Sequence, residues 1–169
     1  MDFKEYLIKR NKNTKEKILT VLLYLAALVL AWVFMLIVPP FGGINLLLAV
    51  GAFYGAYKLS ARFNREYEYI ITDDCVDIDA IYNKNSRKRL ISFFVKDVQV
   101  IASVNDVNQK HLLNGSFSSV IDATTNRKDA NVYFAVAEKN GRVLVKFEPP
   151  FVALEILKRH APSKVFINE

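Results

Sequence analysis

The sequence predicts an α+β membrane protein: an N-terminal two-helix transmembrane hairpin, then a seven-stranded antiparallel β-barrel or sandwich capped by a C-terminal α-helix. Three observations predict it. The forty residues from Ile18 to Tyr57 contain no charged side chain. From Glu66 the hydrophobic pattern changes from helical to alternating, in short runs separated by turn residues. Near the end, Pro149-Pro150 precedes a segment with apolar residues at helical spacing.

Ile18 to Val38 is 21 residues of nearly unbroken Leu, Val, Ala, Ile and aromatics. At about 1.5 Å per residue it makes a helix of roughly 31 Å, the thickness of a bilayer's hydrocarbon core. Pro39-Pro40-Phe41-Gly42-Gly43 breaks it. A second run, Ile44 to Ala61, makes about 27 Å if the Lys58 ammonium snorkels to the headgroups. A cleaved signal peptide has an apolar core of only about 7 to 15 residues. A buried hairpin in a soluble protein needs about as much chain again to cover two helices apolar all round.

Residues 1–65 hold nine basic and three acidic side chains, the whole net charge of +6, and residues 66–169 hold fourteen of each. The basic residues flank the spans and the 39–43 turn carries none. The expected topology therefore puts both termini in the cytoplasm, at the cell membrane, with the turn outside. A neutral folded domain excludes nucleic acid as the partner that the pI near 9.4 suggests. The single Cys75 permits no disulfide within the chain and fits a reducing compartment.

Residues 1–17 are expected to form a cytoplasmic basic leader. Phe3, Tyr6 and Leu7 could share one helical face on the inner leaflet, but so few apolar residues favour a frayed segment that only sets topology. In the second span Gly51-Ala-Phe-Tyr-Gly55 is a GxxxG, expected to pack it against the first span or against a second copy. No Asp, Glu, Lys, Arg or His lies mid-span, which argues against transport by the hairpin alone.

The β domain is expected over 66–169. Its strands are Glu66–Thr72, Cys75–Tyr82, Arg87–Val95, Val98–Val104, Phe117–Thr124, Val132–Glu138 and Arg142–Phe147. Val76, Ile78, Ala80 and Tyr82 share one face of the second strand while Asp77 and Asp79 take the solvated one. Asn105 to Ser116 reads as a long polar loop. Asn140-Gly141 predicts a two-residue type I′ turn, which would set Val136 opposite Val145 and Phe134 opposite Phe147. The closing helix runs from Phe151 to His160, with Phe151, Leu154 and Leu157 along one side.

Glu66-Tyr-Glu-Tyr-Ile-Ile-Thr72, Asp77-Ile-Asp79 and Arg87-Lys-Arg-Leu-Ile91, set after two spans, resemble a two-span family of Gram-positive bacteria carrying a bacterial pleckstrin-homology-like (PH-like) domain of unknown function. The resemblance covers essentially the whole chain. It implies the fold, and no reaction or catalytic residue. The basic motif of phosphoinositide-binding pleckstrin domains lies in the first hairpin, where this chain has Asp73-Asp74.

No nucleophile elbow, phosphate loop or dinucleotide fingerprint is present, and His111 and His160 lie far apart with no zinc spacing. No enzyme activity and no cofactor are expected. Asp73, Asp74, Asp77 and Asp79 could gather for a hard cation, but turn chemistry and a solvated strand face account for them. The expected binding residues are Lys84, Arg87, Lys88 and Arg89, which either meet the anionic inner leaflet or are neutralised by Asp77 and Asp79 across the hairpin. The function expected is a membrane-anchored binding or scaffold module, with lipid, a protein partner or a second copy as its target through that turn and the Asn105–Ser116 loop. An accessory subunit of a membrane transporter or enzyme complex is the alternative.

Overall fold

The structure, a computed structural model, describes residues 3–38, 43–138 and 141–167. The chain divides into two compact units, residues 12–65 and residues 1–11 together with 66–169. The second unit is thus assembled from both sides of the first.

The helical unit consists of α1 (Thr14–Ile37) and α2 (Ile44–Ala61), packed on each other. Helix α1 starts four residues before the apolar run because Asn13 and Glu16 form a capping box, the Glu16 carboxylate accepting from the Asn13 N–H at 2.9 Å. Both helices are long and apolar enough to cross a membrane. Apart from Gly43, which enters α2 with φ +74°, the 39–43 turn lies outside the described residues.

Among the described residues the β unit holds eight strands in two four-stranded sheets, where a seven-stranded barrel or sandwich was expected. The additional strand is β1 (Phe3–Lys9), the segment read as a frayed leader. It pairs antiparallel with β2 (Arg65–Thr72) from Phe3↔Thr72 to Lys9↔Glu66. Phe3, Tyr6 and Leu7 do not make an apolar helical face, because Tyr6 and Ile8 turn toward the main core while Phe3, Glu5 and Leu7 stay exposed. The first sheet continues through β3 (Cys75–Tyr82) and β4 (Ser86–Phe94), in the order β1-β2-β3-β4.

The second sheet contains β5 (Val98–Ser103), β6 (Ser119–Asp122), β7 (Tyr133–Glu138) and β8 (Arg142–Phe147), in the order β5-β7-β8-β6. It is not wholly antiparallel. The connection after β6 carries the chain past β8 before it returns as β7, so β6 runs parallel to β8. In the β7–β8 hairpin Glu138 pairs with Arg142, leaving three residues between them where two were expected. Tyr133, not Phe134, therefore lies opposite Phe147, and Val136 faces Leu144. A one-residue change of register reverses which face every side chain takes. Gly141, at φ +115°, supplies the left-handed residue of this connection, and Asn140 lies outside the described residues.

This reversal is tolerated because β7 is buried on both faces. Tyr133, Ala135 and Ala137 join the main core between the sheets, with Leu154 and Leu157 of α3 (Phe151–His160). Phe134 and Val136 join a smaller cluster on the other face of the second sheet. Leu112, Leu113 and Phe117 cover that cluster, so part of the Asn105–Ser116 segment is a packed flap with a 3-10 turn at Lys110–Asn114. On α3 the buried stripe is Ala153, Leu154, Ile156 and Leu157, and Phe151 is left 57% exposed at the first turn.

Tyr69 ties the core together. Its ring meets Phe147 edge-on at 5.9 Å. Its hydroxyl donates to the Ala123 carbonyl at 2.6 Å and accepts from the Glu148 N–H at 3.1 Å. Burial raises the phenol's pKa well above its ordinary value, so it stays protonated and keeps donating. The Glu148 carboxylate in turn takes the Thr125 N–H and hydroxyl at 2.6 and 2.9 Å, and the Thr125 carbonyl takes the N–H of Asn11, just past β1.

A chain that begins at Glu66 leaves β2 with a bare edge and strips Tyr6 and Ile8 from the core. Its unfolding free energy in urea should be about 2–4 kcal/mol below that of a version in which a short Asn-Gly turn joins Lys9 directly to Glu66.

Candidate functional site

The face of the first sheet turned away from the core carries most of the charge that the sequence singles out. A bulge after Ile78 sets Asp79 opposite Arg89, while Asp77 lies opposite Ser92. Arg89 reaches both carboxylates. Its Nη1 lies 2.8 Å from Asp77 Oδ2, and its Nε donates to Asp79. Asp79 is only 2% exposed, so it is a paired buried charge and not part of a solvated face. Arg87 reaches over β3 to Glu68 on β2, Nη2 to Oε2 2.7 Å.

Glu68 is itself 3% exposed. Burial raises its pKa, and a hydrogen bond that its protonated form donates to the neighbouring Glu5 carboxylate raises it further, against the lowering effect of Arg87. The Arg89 guanidinium is held even more firmly protonated, chiefly by its hydrogen bond to Asp79.

The four expected basic residues therefore separate into two pairs. Arg87 and Arg89 are committed to carboxylates within the sheet. Lys84 and Lys88 are exposed at the hairpin end and have no ion-pair partner among the described residues. Asn83 and Lys84 take φ +50° and +58°, a tight turn that projects the Lys84 side chain. The acidic residues do not gather on a cation. Asp77 and Asp79 face Arg89, Asp74 lies 3.8 Å from Lys96, and no group of three or more His, Cys, Asp or Glu is placed to hold a metal among the described residues.

Sequence reasoning missed Glu5 and Glu68. Their strand pairing joins segments about sixty residues apart, and no local pattern in Phe3–Lys9 reveals it. The glycines were expected to pack α2 against α1 or against a second copy. A methyl group added at Gly51 or Gly55 would meet no atom within 4 Å beyond its own stretch of helix, so neither makes a close approach to α1. Ala49, Ala56, Ser60 and Ala61 of α2 are the buried small residues instead, with Ala27 and Ala31 of α1, and the Tyr24 hydroxyl lies 3.4 Å from Ser60 Oγ. Small residues still make the close approach, one helical step round from the glycines.

Arg89→Met would leave Asp79 buried without its counter-charge and should lower stability by about 3–5 kcal/mol, whereas Lys84→Met should change it by no more than about 0.5 kcal/mol, both read by denaturant unfolding. A carboxyl whose folded-state pKa exceeds its unfolded value binds more protons in the folded state, so stability falls as pH rises between the two. The chain should accordingly lose stability as pH rises from 4.5, the ordinary value, through the raised value of Glu68, and Glu68→Gln should remove that part of the slope in thermal melts.

No curated protein and no solved structure matches the chain. A family model does, that of the bacterial PH-like domain (DUF6106), over residues 2–167. The match begins one residue before β1 and runs through both helices to just past the bridged Val165, so it takes in both sheets and the helical insertion. By its fold and by this match the chain belongs to the bacterial PH-like domain family of unknown function.

Proposed function

We propose that this chain is a membrane-anchored binding module, a two-span hairpin that presents the PH-like unit to the cytoplasmic leaflet of the cell membrane or to a protein there. One observation carries the reading: β1, before the first apolar helix, and β2, after the second, are paired neighbours in one sheet. A ladder cannot form across a bilayer, so if the helices span, their outer ends lie on the same side. The excess of basic residues on those flanks names that side as cytoplasmic.

The connections are short. Residues 10–13 join β1 to α1 and residues 62–64 join α2 to β2, so with the helices in lipid the tether is only a few residues long. Near an anionic surface each lysine is worth about 1 kcal/mol, and the anchor supplies the proximity. Lys84 and Lys88 are the cations available for this. Arg87 and Arg89 act as structural ties that shape the hairpin.

Two measurements test the reading. The chain should sediment with membranes and resist alkaline extraction, and recovery in the soluble fraction of gently lysed cells would overturn the anchor. In nanodiscs, the amides of residues 83–89 should exchange several-fold more slowly in anionic than in zwitterionic lipid. Lys84→Glu with Lys88→Glu should abolish that difference, and equal exchange in both lipids would remove the leaflet as the target.

A further inference from the structure

We propose that β1 is an association edge, along which two copies of this chain pair antiparallel about a two-fold axis at Leu7, joining their first sheets into one of eight strands. The pairing is strand chemistry and stands whether or not the helices lie in lipid.

The other sheet edges are covered or blunted. The edge of β5 takes the chain's own 164–166 segment, Ile101 N–H donating to the Lys164 carbonyl at 2.8 Å and Phe166 N–H to the Ile101 carbonyl at 2.9 Å. Strand β4 carries Arg87, Lys88 and Arg89 directly after its first residue, and β6 has only four residues. By contrast β1 has seven residues, no proline, and β2 as its single strand partner among the described residues. Phe3 and Leu7 on it are 56% and 59% exposed.

The sequence of β1 selects its own register. A two-fold axis normal to the sheet keeps like faces together, so only registers centred on a residue are possible. Centred on Leu7, the strands set Glu5 opposite Lys9 of the second copy twice, Leu7 opposite its equivalent, and Tyr6 opposite Ile8. Centred on Tyr6 they form no ion pair, and centred on Glu5 they oppose two like charges. Glu5 also has a use for the arriving ammonium. Its neighbour within its own chain is the Glu68 carboxyl, whereas Lys9 already lies opposite Glu66 and would sit between two acids.

The test uses the full chain in detergent, with mass followed over a concentration series. The unaltered chain should dimerise. Glu5→Lys alone and Lys9→Glu alone should each dimerise at least about tenfold more weakly. Mixed in equal amounts, these two variants present opposite charges to each other at both positions and should recover near-original affinity as a heterodimer, which a folding defect would not permit. With Cys75→Ser in place, Leu7→Cys should give a disulfide-linked dimer under mild oxidation and Val120→Cys, on the exposed β6 edge, should not. A chain that stays monomeric at all concentrations, variants that dimerise undiminished, or a mixture that fails to recover would each overturn the proposal.

Discussion

The ladder between β1 and β2 is the constraint on which the rest depends. It joins segments that flank the whole helical unit and fixes Lys9 beside Glu66, so the outgoing and returning chain are strand neighbours. Without β1 the first sheet would have three strands, the main core would lack Tyr6 and Ile8, and Asn11 could not be held by Thr125. The helical pair is therefore an insertion into a β-hairpin, and not a separate anchor placed before a finished domain.

The charges of the first sheet follow from that assembly. Five acidic and basic side chains from β2, β3 and β4, namely Glu68, Asp77, Asp79, Arg87 and Arg89, make contacts across the outward face. Two of the carboxylates are almost completely buried, a costly arrangement unless each has a partner. The arginines supply it. A guanidinium suits this because its fixed fork can engage two oxygens at once, as Arg89 does with Asp77 and Asp79. Of the four basic residues of this hairpin, Lys84 and Lys88 are left outside the ion pairs among the described residues.

Much of this was legible in the sequence and some was not, for definite reasons. Helix α2, strands β3 and β8, and helix α3 have the bounds that periodicity and turn residues indicate, because each is set by a local pattern. The charge-free stretch likewise gave away both long helices. Strand β1 was hidden because seven residues with three charges carry little pattern, and their partner lies far along the chain. The β7 register was hidden because that strand is apolar on both faces, so alternation offered no check on which residues faced the core. Asp79 looked solvated because its alternation with Ile78 and Ala80 reveals the face and not the arginine that covers it.

The position of β1 also orders events during synthesis. Its partner is made only after more than fifty further residues, both apolar helices among them, have been added to the chain. Until then residues 3–9 have no sheet to join, and β3 and β4 are made later still. Closing so long a loop carries an entropy cost that grows slowly with its length, but the wait itself is set by the ribosome. Strand β1 is therefore translated before any of its sheet exists, and it waits through both apolar helices for the β2 edge it pairs with.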